Sequence, residues 1–204
     1  ADRKPNVIII YTDDQGSVDL NCYGSKDLVT PHMDGLAKRG VRFTQFYASA
    51  PVCSPSRAGL LTGRYPVRAG MPGNAGSTKG KAGLAASEVT IAETMKAGGY
   101  KTAHIGKWHL GYQEQFLPAN HGFDESYGIP YSNDMWPWHP AYAHFSDPVE
   151  KRKRGYPDLF TFEGAEIADP EVTGEDQMRF TTDFGDRAAA FVRANQDQPF
   201  FLYL

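Results

Sequence analysis

At 204 residues, with 41% of them apolar and 22% charged, the chain can bury a core and is too apolar to stay disordered. A formal net charge of −3 exerts no pull toward nucleic acid, and no apolar run is long enough to cross a membrane. The start, Ala1-Asp2-Arg3-Lys4-Pro5, has no apolar signal region, as in a protein that is never exported or one whose leader has been removed. There are two cysteines, Cys22 and Cys53, whose simplest reading is a pair of buried thiols or one disulfide. No Asn-x-Ser/Thr sequon occurs, and with so few cysteines this favours a bacterial product over a secreted eukaryotic glycoprotein.

Asn6–Thr12 is a continuous β-branched run that predicts a strand buried on both faces, ending in the polar turn Asp13-Asp14-Gln15-Gly16. Thr30-Pro31 reads as an N-cap followed by proline at the first helical position, opening a helix to about Arg39. Val41–Tyr47 alternates weakly and predicts a second strand. Ser56–Thr62 predicts a helix with Cys53 at its N-terminal end.

Residues 70–86 are rich in Gly, Ala and Ser and read as a surface loop. Gly80-Lys81 within it fails as a phosphate loop, because Ala75 and Ala82 stand where that motif needs Gly and Ser/Thr. Thr90-x-x-Glu93 is a capping box, and Gly98-Gly99 closes the helix it opens. Tyr100–Gly106 predicts the next strand, giving a β-α-β rhythm. Residues 118–174 hold many of the prolines and aromatics with little periodicity, and read as a long irregular excursion from the sheet. A helix from about Glu175 to Asn195 carries Phe184, Ala188, Phe191 and Val192 on one face, and Pro199–Leu204 begins another buried strand, inside which the chain stops.

Cys53-Ser54-Pro55-Ser56-Arg57, followed by Leu61-Thr62-Gly63-Arg64, resembles the signature of the formylglycine-dependent (type I) sulfatases, C-x-P-S-R then L-T-G-R. The likeness extends to Asn6–Gly16, to Gly106-Lys107-Trp108-His109-Leu110-Gly111, and to Gly128–Asp134. Gly128-Ile129-Pro130-Tyr131-Ser132 looks most like the arylsulfatase A and N-acetylgalactosamine-6-sulfatase branch. The resemblance implies an alkaline-phosphatase-like α/β sandwich with a mixed, mostly parallel sheet flanked by helices. Residues 1–204 would be the N-terminal part of that catalytic domain, truncated on its C-terminal side.

It also implies a chemistry. Cys53 would be oxidised to formylglycine by a formylglycine-generating or anaerobic sulfatase-maturing enzyme. One hydroxyl of the hydrated aldehyde attacks sulfur, and the second expels sulfate. Asp13 and Asp14, with residue 53, would hold Ca²⁺ (or Mg²⁺), a hard cation suited to oxygen donors. Arg57 would hold the diol or a sulfate oxygen. Lys107 would bind sulfate as a point charge, Ser132 would hydrogen-bond it, and His109 would take the hydroxyl proton. In an extended segment Lys107 and His109 share one face while Trp108 takes the other.

The resemblance places a further His as leaving-group acid, an Asp-Asn or Asp-His pair finishing the metal shell, and another Lys on the sulfate beyond residue 204. The implied activity is hydrolysis of a sulfated small molecule or glycan by a periplasmic or secreted bacterial enzyme. The alternatives are a phosphate or phosphonate monoester hydrolase of the same superfamily, or a non-catalytic remnant. Trp136, Trp138, His139, Tyr142 and His144 either stack on a sugar or aryl ring or fill a satellite core. Lys151-Arg152-Lys153-Arg154 reads as a solvated loop, and His104 and His121 read as structural.

Overall fold

The computed structural model describes residues 4–76, 83–150 and 155–204. Two compact units make up the chain, residues 1–10 with 49–204, and residues 11–48. In the larger unit, six strands form one sheet: β1 (Val7–Ile9), β2 (Lys101–Lys107), β3 (Glu125–Ile129), β4 (Thr161–Glu163), β5 (Glu166–Asp169) and β6 (Phe200–Tyr203). Their order is β1-β6-β2-β3-β4-β5, with β1, β6, β2 and β3 parallel and the β4–β5 hairpin antiparallel at one edge.

Strand β6 lies between β1 and β2 and all four of its residues are buried, as its unbroken apolar run predicts. Strand β1 departs from expectation. It is three residues long, pairs among the described residues only with β6, and leaves Ile8 46% exposed, because it lies at the edge of the sheet.

Helix α4 (Gly174–Ala194) packs Phe184, Ala188, Phe191 and Val192 onto Ala103, Ile105, Phe200 and Leu202. These are alternate residues of β2 and β6, so the period of two in the strands meets the 3.6-residue period of the helix. The opposite face carries Thr102, His104, Phe201 and Tyr203, all buried. There His104 stacks at 5.9 Å on Phe162 and meets Trp108 edge-on at 5.2 Å.

Helix α3 (Ile91–Ala97) begins at the predicted capping box. Thr90 Oγ1 accepts from Glu93 N at 3.2 Å, and Glu93 Oε2 accepts from Thr90 N at 2.7 Å. Residues 118–174 are not wholly an excursion, since β3, β4 and β5 arise within them. Strand β3 enters the sheet through a glycine pair. Gly106 and Gly128 are register partners, and a Cβ on Gly128 would meet the Gly106 carbonyl oxygen. Without a side chain at Gly128, the two backbones approach closely enough to form the ladder.

Helix α1 (Pro31–Arg39) in the 11–48 unit has the predicted bounds. The Thr30 hydroxyl does not cap it; it accepts from Asn21 N at 2.9 Å. The predicted strand at Val41–Tyr47 does not form. These residues are an exposed loop, with Val41, Phe46 and Tyr47 about four-fifths exposed, and among the described residues no strand supplies them with ladder hydrogen bonds. Cys22 and Cys53 do not form a disulfide. Among the described residues no helix is long and apolar enough to cross a membrane. Gly80-Lys81 and Lys151–Arg154 lie outside the described residues.

Candidate active site

The signature cysteine opens helix α2 (Cys53–Thr62), which ends at Gly63 in the left-handed conformation (φ 63°), with Gly63 N donating to Gly59 O. Val52 occupies the N-cap and offers no side-chain oxygen. Asn74 takes over that role from a distant loop: its Oδ1 accepts from Ser54 N at 3.0 Å, and Ser54 Oγ accepts from Ala75 N at 3.0 Å. The start of the helix is thereby held against the 74–75 loop, with half-buried Cys53 in its first turn. The positive end of the helix dipole favours an anion there.

Parallel strands bring the remaining groups to the same place. Lys107 is the last residue of β2, and Ser132 lies three residues beyond β3. Both stand at carboxyl ends of parallel strands, the usual position of sites in open α/β sheets. Lys107 Nζ donates to Cys53 Sγ at 3.2 Å and to Ser132 Oγ at 3.2 Å. Three predicted site residues, far apart in sequence, thus meet at one ammonium.

Arg57, one helical turn after Cys53, is 4% exposed. Its Nη1 donates to Lys107 O at 2.6 Å and to Tyr203 Oη at 3.2 Å. His104 Nε2 lies 3.4 Å from the same Lys107 carbonyl, and burial pushes this imidazole down to about 3, so it is neutral at ordinary pH. His121 is also lowered by burial, its ring 5.7 Å from that of Trp108. Both histidines are core residues, as expected.

The segment after β2 does not continue as an extended strand. Trp108 is buried, with Nε1 donating to Phe116 O at 2.7 Å, but His109 turns into the left-handed region at φ 56°. The alternation expected for Lys107, Trp108 and His109 therefore breaks at His109. His109 N donates to Pro130 O at 3.1 Å and its side chain is 1% exposed.

Asp13 and Asp14 belong to the 11–48 unit. Both are exposed, and Asp14 has φ 45°. Among the described residues no group of three His, Cys, Asp or Glu gathers to hold a metal. In the aromatic segment, Trp136 packs against the buried cluster of Ile129, Tyr131, Leu159, Val172 and Phe180, so it fills a satellite core. His139, Tyr142 and Tyr156 form a separate ring cluster with centroids 5.7–6.1 Å apart. A cavity of about 510 Å³ between β2, β3 and α4, lined in part by Ile105, Tyr127 and Arg187, contains none of the predicted site residues.

Sequence reasoning missed Asn74 and Tyr203. Asn74 sits in a loop of small residues, and Tyr203 reads as one more apolar strand residue; neither has a local signal of its role.

Comparison with known proteins places this geometry in a family. Human arylsulfatase A is 49% identical over 137 residues, covering 66% of this chain and 27% of that protein. Mouse steryl-sulfatase is 51% identical over 144 residues, covering 65% and 23%. The chain thus spans about a quarter of the length of these curated relatives. Among solved structures, the PsFucS1 sulfatase from Pseudoalteromonas sp. superposes with a TM-score of 0.82 at 32% identity, over 98% of this chain and 43% of that one. Ps i-CgsB in complex with k-i-k-neocarrahexaose superposes at 0.74, with 32% identity over 99% and 44%. These neighbours share the expected alkaline-phosphatase-like fold. The Sulfatase family's sequence model matches residues 5–204, and the chain belongs to that family.

Proposed function

We propose that the protein containing this chain hydrolyses sulfate monoesters, with residue 53 as its nucleophile after oxidation of Cys53 to formylglycine. The observation that carries the reading is Lys107 Nζ placed 3.2 Å from both Cys53 Sγ and Ser132 Oγ at the start of a helix. An ammonium has three donors. Lys107 directs two of them at these side chains, so an anion seated between them meets a full positive charge. Arg57 adds a second cation one turn along the helix, and Ser132 contributes a hydroxyl to a sulfate oxygen. His109 is assigned the proton of the residue-53 hydroxyl. Formylglycine, as its hydrate, supplies one hydroxyl for attack on sulfur and another for release of sulfate.

Asp13 and Asp14 fit a hard divalent cation by their chemistry, being two successive carboxylates rather than thiol or imidazole donors. They would hold Ca²⁺, or Mg²⁺, and further oxygens must complete the shell. When bound, the cation lowers the pKa of a coordinated hydroxyl and neutralises sulfate charge. The substrate is a sulfated small molecule or glycan. The maturation partner is a formylglycine-generating or anaerobic sulfatase-maturing enzyme. The absence of sequons and the scarcity of cysteines support a periplasmic or secreted bacterial protein.

The test combines mass spectrometry and kinetics on the full-length protein. The peptide carrying Cys53 should contain an aldehyde that reacts with hydrazide, and the protein should turn over an aryl sulfate faster than the matching aryl phosphate. A free thiol in fully active protein would sink the mechanism, and preferred turnover of the phosphate would move the protein to phosphoryl transfer.

A further inference from the structure

We infer that Tyr203 is a positioning residue for the anion site, acting through Arg57; the inference rests on the sulfatase reading. Tyr203 is the last residue of β6 and is 1% exposed. Its ring is held on two sides. It lies nearly parallel to Phe123 at 6.4 Å, and meets His104, its register partner in β2, at 5.6 Å. A buried phenol with a ring so confined has little freedom at its hydroxyl, and that hydroxyl accepts from Arg57 Nη1 at 3.2 Å.

The same Nη1 donates to Lys107 O at 2.6 Å, so one nitrogen ties together helix α2, the end of β2 and the end of β6. Lys107 is the residue whose ammonium touches Cys53 and Ser132. Holding Arg57 therefore also fixes the main chain that carries Lys107. His104, Tyr203's register partner beside them, is held neutral by burial and does not add a like charge next to Arg57. Such a clamp matters because a small misplacement of a binding group is costly where geometry sets the rate.

The experiment is a double-mutant cycle in the full-length protein, with inorganic sulfate as the probe, read by calorimetry and by sulfate protection against thermal unfolding. Tyr203→Phe keeps the ring and removes the hydroxyl that accepts from Arg57. It should weaken sulfate binding about tenfold, the scale of a hydrogen bond to a charged group. Arg57→Ala should weaken it at least as much, and adding Tyr203→Phe to Arg57→Ala should cost nothing further. With an aryl sulfate, Tyr203→Phe should lower kcat/KM by a similar factor. Tyr203→His, which restores a ring acceptor, should recover part of the binding.

Unchanged sulfate affinity in Tyr203→Phe, or full additivity with Arg57→Ala, would overturn the assignment. Coupled losses of sulfate binding in a protein that hydrolyses no aryl sulfate would uphold Tyr203 and sink the sulfatase reading instead.

Discussion

Replacing Gly128 by alanine should destabilise the protein far more than one methyl group ordinarily does. The added Cβ would meet the Gly106 carbonyl oxygen and lie 2.7 Å from its carbon and 3.0 Å from its nitrogen. Those atoms are backbone in the centre of a parallel ladder, with β6 on the other side of β2, so they cannot swing away as a side-chain tip can. Relief requires β3 to shift from β2, breaking hydrogen bonds on both sides of the pair. Overpacking in a core costs about 1–3 kcal/mol, and a clash with fixed backbone belongs at the top of that range or above it. Gly185 supplies the matched control. It lies in α4, exposed, and its added Cβ would meet nothing within 4 Å. Gly185→Ala should therefore stabilise by about 0.5–1 kcal/mol through helix propensity.

Chemical denaturation of both variants, with sulfate binding measured in parallel, checks the reasoning. Gly128→Ala should lower the midpoint and also weaken sulfate, because the β2–β3 pair sets the distance from Lys107 to Ser132. A loss below about 1 kcal/mol, or equal effects of the two substitutions, would show that the close approach of Gly106 and Gly128 is not what admits β3 to the sheet.

Other substitutions probe the site and its support. Lys107→Met keeps the stem and removes the ammonium; kcat/KM for an aryl sulfate should fall about 10²–10³-fold, the scale of a lost electrostatic donor, and a change below about threefold would remove Lys107 from the mechanism. His104 is held neutral by burial, at about 3 rather than 6.5. The unfolded chain therefore takes up a proton below pH 6.5 that the folded chain refuses until about 3, and stability is lost as pH falls through that window, by up to about 1.4 kcal/mol per pH unit. Urea midpoints between pH 7 and 4 should show this slope, and His104→Phe should flatten it. Thr90→Ala removes both the cap of α3 and a hydrogen bond to His121 O at 2.8 Å. It should cost about 1–2 kcal/mol on denaturation, against a near-neutral result if the cap is idle.

Features that rest on contacts between near neighbours are legible in the chain alone. The Thr90–Glu93 cap, the start of α1 at Pro31, the apolar face of α4 and the placing of Cys53 at the head of α2 are all set within a few residues, where period and end chemistry leave their mark. The motif positions of Cys53, Lys107 and Ser132 were equally legible, and the fold brought them together. Features that depend on a partner distant in the chain emerge only when the sheet assembles. Assembly put β1 at an edge, where a β-branched run reads as if it were buried on both faces. It drew β3 out of an aperiodic stretch, because a glycine pair allowed the ladder to close. It turned His109 out of the extended path and capped α2 with Asn74, 20 residues beyond the Ser54 whose N–H it accepts. Arg57 and Tyr203 are 146 residues apart. No local pattern records that contact, since each residue is suited to its own helix or strand and the hydrogen bond between them exists only once the sheet has formed.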